Sequence, residues 1–259
     1  MTQEERSVCV EAILEAYETK VQTLRPSARY PEITFEDAYG ISAEVARRQQ
    51  AAGARLVGYK VGLTSTAMRR SSKIDEPDYG FLYEQFLYHD GAKIQHADFC
   101  VPRVELELAF VLREGLDGPN VTIVDVLNAT DYVIPALEII DTRVDEPRKI
   151  YDTIADNGAG AGLVLGGRPV KPNQVDLRMV PGILSRNADI EETGVSCGVM
   201  GHPANGVVWL ANKLFQIGES LKPGQILLAG SYVRPIWANV GDTVRADFGE
   251  LGSIAVSFA

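Results

Sequence analysis

The chain predicts an α+β fold, in which a short helical region at the N-terminus packs on a mixed β-sheet or barrel. Three observations predict it. Through about residue 55 apolar positions recur at helical spacing among Glu, Lys, Arg and Gln. After Gly53 the texture changes to short apolar runs punctuated by Gly, Pro, Asn and Asp, the pattern of strands and turns. Within that second part only one stretch reads clearly as a helix. Residues 1–55 are therefore expected to form a helical region and residues 56–259 a β-rich catalytic domain.

In order along the chain, Val8, Ala12, Leu14, Ala16, Val21 and Leu24 place an amphipathic helix from Thr2 to about Arg25, ended by Pro26. Thr34 reads as the N-cap of a second helix, with Glu36 and Asp37 in its first turn, running to about Gln50–Gly53. Strands are expected at 55–62, 86–88, 104–112, 129–140, 161–165, 182–186, 225–229, 243–248 and 254–258. Gly249-Glu250-Leu251-Gly252 reads as the turn of a hairpin joining the last two. The internal helix starts at Pro203 and carries Val207, Leu210, Ala211 and Leu214 on one stripe.

The chain has 259 residues, 46% hydrophobic and 23% charged, which suits a soluble globular protein with a substantial core. Net charge is −10 and the basic residues are scattered, so no nucleic-acid footprint is present. The three cysteines, Cys9, Cys100 and Cys197, are widely spaced and match neither a disulfide framework nor a zinc site. No segment approaches the roughly 18 uninterrupted apolar residues of a membrane span, and the N-terminus lacks an apolar signal core. The cytoplasm is the expected location.

Glu105-Leu106-Glu107 lies inside the apolar run Val104 to Leu112. In a strand, residues two apart share a face, so both carboxylates point the same way. Like charges in an apolar run repel, and desolvation sharpens the repulsion, so a cation between them is the economical explanation. Glu138 breaks a second apolar stretch, Tyr132 to Ile140, in the same manner. Three carboxylates without a histidine form an all-oxygen set suited to Mg²⁺, Mn²⁺ or Ca²⁺, with Mg²⁺ or Mn²⁺ preferred here. The competing reading is the wet face of an edge strand with Glu138 paired to an arginine.

Other groups gain weight from this cluster. Lys60, flanked by Gly58 and Gly62, is placed to stabilise developing negative charge or donate a proton. Asp78 lies in the turn-rich segment Asp75 to Gly80, whose local sequence favours a solvated Asx turn over a general base. Asn157 begins a glycine-rich stretch that lets backbone approach a ligand, yet its spacing is no dinucleotide fingerprint. Ser231 and Arg234 follow an apolar strand, at an exit where ligand groups often sit. His202, at the start of the internal helix, reads as structural. Nucleophile-elbow, zincin and P-loop patterns are missing.

With these residues in view, the chain resembles the fumarylacetoacetate hydrolase superfamily, in its 2-hydroxydienoate hydratase and 4-oxalocrotonate decarboxylase branch from aromatic meta-cleavage catabolism. The resemblance runs nearly end to end: Tyr30 to Thr34, Lys60 to Ser65, Glu76 to Gly80, Pro102 to Glu107, Asp131 to Glu138, Asp156-Asn157, Gly201 to Pro203 and Gly249 to Ser253. Glu191 to Val195, His202 to Val207 and Arg234-Pro235 resemble the members that hydrate a seven-carbon diacid. Members acting on monoacids lack an arginine in the latter loop, and an arginine is a suitable bidentate partner for a second substrate carboxylate. One departure is the short stretch Val144 to Arg148, where the family is longer.

The resemblance implies a mixed β-roll with a metal held by Glu105, Glu107 and Glu138. It also implies Lys60 and Asp78 as catalytic residues, and Arg234, Ser231 and Asn157 as substrate contacts. The expected reaction is addition of water to a 2-oxo-alkenoate diacid. The alternatives are a 4-oxalocrotonate-type decarboxylase or a 2-hydroxypenta-2,4-dienoate hydratase and, from another class, a non-catalytic partner subunit of a hydratase–decarboxylase complex. A homo-oligomer, pentameric or decameric, and association with a pathway decarboxylase are implied in the same way.

Overall fold

Two threonines start the N-terminal helices by the same device. The hydroxyls of Thr2 and Thr34 accept the backbone N–H groups of Glu5 and Asp37, whose carboxylates accept the N–H of the capping threonine in return. The resulting helices are α1 (Gln3–Thr19) and α3 (Phe35–Ala51), with a single turn, α2 (Pro26–Arg29), between them. Helix α1 is shorter than expected. Lys20 adopts a left-handed conformation with φ 59° and caps it, and Pro26 begins α2 where it was expected to end α1. Val21 and Leu24, whose apolar spacing suggested a longer helix, are 68% and 46% exposed.

The computed structural model describes residues 1–66, 69–70 and 74–259. Among the described residues, thirteen strands follow these helices: β1 (Leu56–Gly62), β2 (Asp78–Tyr83), β3 (Leu87–His89), β4 (Ala92–Ile94), β5 (Arg103–Leu112), β6 (Thr130–Ile140), β7 (Gly160–Leu165), β8 (Pro181–Arg186), β9 (Asp189–Val195), β10 (Ile226–Leu228), β11 (Ile236–Trp237), β12 (Thr243–Asp247) and β13 (Ser253–Phe258). The nine expected strands are all present with shifted ends. The segment expected as a turn around Asp78 is instead β2, paired antiparallel with β1. Strand pairing overrides the local turn chemistry there. The edge strand β9, rich in Glu, and the short β4 and β11 were not anticipated, nor were the helices Ile123–Ala129 and Ile150–Ala155.

The first sheet runs β2-β1-β10-β5-β6-β7-β3, with β11 on the far end of β5. Its pairings are mixed: β1–β10 and β3–β7 are parallel, the others antiparallel. The sheet curls until β2 packs against β7, which gives it an inner and an outer face. Leu106, Leu108, Phe110, Leu137 and Ile139 point outward, into a core shared with the helix Ala204–Phe215 and with the second sheet, β4-β13-β12-β8-β9. Ala109, Ala136, Leu82, Leu163 and Leu228 point inward and fill one end of the roll. Both faces of β5 are buried, which is why its sequence reads as a nearly continuous apolar run. Among the described residues, no helix is long and apolar enough to cross a membrane.

The helical layer has its own core of Cys9, Val10, Ile13, Ile33, Ile41 and Val45, joined by Val144, Ile154 and Ala155 from between β6 and β7. Arg143 fastens the two layers. Its guanidinium is buried, ion-paired through Nε to Asp156 Oδ1, bonded through Nη2 to Asp156 O (3.0 Å) and Gly160 O (3.3 Å), and stacked 4.3 Å from the ring of Tyr17 on α1. Arg143→Met strands the buried Asp156 carboxylate, and the expected loss is about 3–5 kcal/mol of unfolding free energy by urea denaturation. A loss under about 1 kcal/mol would show that the apolar contacts alone hold the layers together.

Candidate metal centre and active-site cleft

The antiparallel register of β5 and β6 sets Glu105 directly opposite Glu138, and Glu107 opposite Ala136. Directly opposed residues share a face, and so do residues two apart on one strand. Glu105, Glu107 and Glu138 therefore converge on the inner face of the roll, just above its apolar floor. One oxygen from each lies within 4.8 Å of the others. Glu107 and Glu138 are 0% exposed. The edge-strand alternative fails, because β5 is an interior strand flanked by β10 and β6.

These carboxylates are short of partners. Glu107 Oε2 accepts from Gly230 N at 2.7 Å, but Glu107 Oε1 and both oxygens of Glu138 have no hydrogen-bond donor among the described residues. Burial, and then the Glu138 charge, push Glu105 up to about 7. Burial followed by the Glu138 and Glu105 charges raise Glu107 well above the usual carboxylate range, and burial raises Glu138. Such orphaned, mutually repelling oxygens fit a hard divalent cation.

Lys60 comes from β1 across the interior of the roll. Its Nζ donates to Gly158 O at 2.9 Å and lies 3.3 Å from Glu138 Oε1. Burial works against its charge, but the carboxylates of Glu138 and Asp78 outweigh burial and hold it protonated. Asp78 is buried on β2, opposite Gly62 in register, with Oδ1 unpartnered among the described residues. Burial raises its carboxyl above the ordinary range, against the pull of Lys60. A side chain at position 62 would not fit: a Cβ there would stand 2.1 Å from Asp78 Oδ1 and 3.2 Å from Lys60 Nζ.

Two expected substrate contacts have other duties. Asn157 spends its amide on backbone: Oδ1 accepts from Phe81 N (2.7 Å), and Nδ2 donates to Phe81 O (3.1 Å) and Gly160 O (3.2 Å). It thereby holds the left-handed turn of Asn157, Gly158 and Ala159, at φ 58°, 58° and 60°, that aims the Gly158 carbonyl at Lys60. Ser231 Oγ lies 3.1 Å from Leu106 O and 2.9 Å from Val233 O, and so braces the loop after β10. Ser231 and Arg234 do line a cleft of about 270 Å³, together with Thr64, Glu105, Glu192 and Tyr232. Arg234 is 80% exposed along its side chain and pairs with Glu192 at 2.7 Å. Tyr232 is the cleft residue that sequence reasoning passed over, since nothing in its local pattern sets it apart. His202 is structural as expected, its Nδ1 accepting from Ala204 N at the helix start.

The pH dependence of the centre follows from these shifts. Carboxylates raised in the folded state disfavour folding once they ionise, so metal-free protein loses stability as pH rises from the ordinary carboxylate range through about 7. A divalent cation must displace protons at low pH but meets ready carboxylates at high pH. Saturating Mg²⁺ or Mn²⁺ is therefore expected to raise the melting temperature more at pH 8 than at pH 5.5. Equal shifts at both pH values would place the ion elsewhere.

Comparison with known proteins agrees with this geometry. No family model matches the chain. It is 54% identical over 239 residues to 2-oxo-hept-4-ene-1,7-dioate hydratase of Escherichia coli, covering 90% of each chain. It is 38% identical over 241 residues to 2-hydroxyhexa-2,4-dienoate hydratase of Comamonas testosteroni, covering 92% of this chain and 91% of that one. The structure superposes on 4-oxalocrotonate decarboxylase from Pseudomonas putida G7, solved with magnesium and adipate, at a TM-score of 0.96 and 32% identity, over 100% of this chain and 99% of that one. The roll, the carboxylate trio and these relatives together identify the chain as a member of the 2-hydroxydienoate hydratase and 4-oxalocrotonate decarboxylase family, within the fumarylacetoacetate hydrolase superfamily.

Proposed function

We propose that the chain is a divalent-metal-dependent hydro-lyase that adds water to 2-oxohept-4-ene-1,7-dioate, giving 4-hydroxy-2-oxoheptanedioate. The observation that carries this reading is the under-neutralised carboxylate trio, Glu107 and Glu138 buried and Glu105 open to the cleft, with Lys60 and Asp78 beside it, in a chain 54% identical to a hydratase named for that substrate. Glu105, Glu107 and Glu138 would hold the cation, Mg²⁺ or Mn²⁺ by the hardness of their oxygens. When bound, it supplies Lewis-acid polarisation of the substrate's 2-oxo acid group.

The substrate's C4–C5 double bond lies one carbon too far from the ketone to accept water at C4. Loss of a proton from C3 gives a dienolate, and its protonation at C5 moves the double bond to C3–C4, in conjugation with the ketone. Water then adds at C4 and C3 regains a proton. Asp78 is the group for the C3-to-C5 proton transfer, because its Oδ1 has no partner among the described residues and burial makes its carboxyl a better base than an exposed one. Lys60, kept charged by its neighbours and aimed by Gly158, faces the oxygen at C2 as negative charge develops there. Arg234 reads the distal carboxylate at the cleft mouth. Its exposed pair with Glu192 is worth only about 0–1 kcal/mol, so a desolvated substrate carboxylate can take its place.

Decarboxylation is the second reading, favoured by the superposition on a decarboxylase, since loss of CO₂ can use the same enolate sink. Exposed Met179, Ile190, Trp237 and Val240 offer apolar surface for self-association or for a partner enzyme of the pathway.

Purified protein with Mg²⁺ and the seven-carbon dienoate diacid is expected to yield a product heavier by one water, by mass spectrometry. EDTA should abolish turnover, and Glu107→Ala should reduce it by about a hundredfold or more. Release of CO₂ would move the protein to the decarboxylases, and no turnover with metal bound would favour a partner subunit. Arg234→Ala should lower kcat/KM for the diacid by about tenfold or more while sparing a monoacid dienoate. An unchanged preference would remove Arg234 from substrate selection.

A further inference from the structure

The geometry points to Tyr232 as a further substrate-binding residue, whose phenol hydroxyl donates a hydrogen bond to an oxygen at the 2-oxo acid end of the substrate. This rests on the functional reading above and adds a contact that neither the motifs nor the carboxylate trio imply.

Three observations converge on it. Tyr232 lines the cleft beside Glu105, and its hydroxyl is buried without a hydrogen-bond partner among the described residues. Among the described residues, Asp78 Oδ1, Glu107 Oε1 and both Glu138 oxygens also lack a partner, as do atoms of Arg6, Tyr39, Ser42 and Arg103, but Tyr232 is the tyrosine of that set that lines the cleft beside Glu105. The tyrosine is also seated by glycines. Gly182 on β8 and Gly194 on β9 face each other in register, and a Cβ on the first would stand 2.5 Å from Tyr232 Cε2, on the second 2.3 Å from Tyr232 O. A Cβ on Gly198 would stand 3.3 Å from Tyr232 Cβ. Two strands and the turn after them thus stay bare of side chains where Tyr232 lies, with Leu106 and Val233 beside it.

Packing alone does not account for the hydroxyl. A phenylalanine would fill the same seat, and a buried O–H with no acceptor disfavours the ligand-free fold. A ligand oxygen entering the cleft supplies the acceptor. Tyr232 lines the cleft beside Glu105 of the trio, whereas Arg234 marks its exposed outer end. The contact therefore falls at the end of the substrate nearest the carboxylate trio.

Tyr232→Phe in the intact protein tests this, with pyruvate as the probe in the presence of saturating Mg²⁺. Pyruvate carries the 2-oxo acid group and lacks a second carboxylate. The expected result is a Kd for pyruvate raised about tenfold or more, an unchanged Mg²⁺ affinity and a ligand-free melting temperature that does not fall. A smaller rise in Kd overturns the assignment, whatever the melting temperature does. So does an equal loss of Mg²⁺ affinity, which would mean that the phenol acts through the carboxylates. Pyruvate binding is read without turnover, so the outcome stands whether the wild type releases hydrated product, CO₂ or neither.

Discussion

Everything at the centre of this protein depends on one cross-strand register. Pairing Glu105 with Glu138 on the inner face of a curled sheet brings together charges that repel each other, Glu138 cut off from water and Glu105 half-buried at the cleft. Two opposing groups make the arrangement tolerable. The apolar residues below, Ala109, Ala136, Leu163 and Leu228, supply a dry and rigid floor. Lys60, drawn in from β1, supplies the one cation in contact with the trio among the described residues. A divalent ion is the natural complement to what remains, since a single lysine leaves most of the negative charge unopposed.

A slip of one residue between β5 and β6 would turn the carboxylates onto the outer face, where Leu106, Leu108 and Leu137 now pack. The apolar core on that outer face is therefore what keeps the register. Stability and chemistry are coupled in the same ladder. Arg143 extends the coupling further out. It ties α1 to the segment that carries the left-handed turn at Asn157–Ala159, and that turn aims the Gly158 carbonyl at Lys60. The helical layer thus reaches Lys60 through one buried arginine and one strained loop.

Family membership and specificity are written on different parts of the structure. The family holds hydratases and a decarboxylase alike, so the fold by itself does not set the reaction. Differences between them have room in the loop after β10 and in the β8–β9 hairpin, which together form the cleft wall with Tyr232, Arg234 and Glu192. Backbone bonds of Ser231 hold that loop in place, so its neighbours are presented from a fixed support.

The sequence by itself determined the parts whose signals are local. The two-residue period of a strand put Glu105 and Glu107 on one face, and the break at Glu138 in a second apolar run announced the third acid. The capping Thr34 and the apolar stripes placed the main helices. Asp78 was misread as a surface turn because Pro77 and Gly80 speak for a turn, while the strand it joins is specified by β1, far away in sequence. Asn157 and Ser231 look like free polar groups until the backbone atoms that occupy them come into view. The end of α1, the partner of Arg234 and the seat of Tyr232 were likewise decided only by the tertiary structure. Periodicity reports which face a residue takes, whereas burial, register and hydrogen-bond partners arise between segments that meet only when the sheet closes.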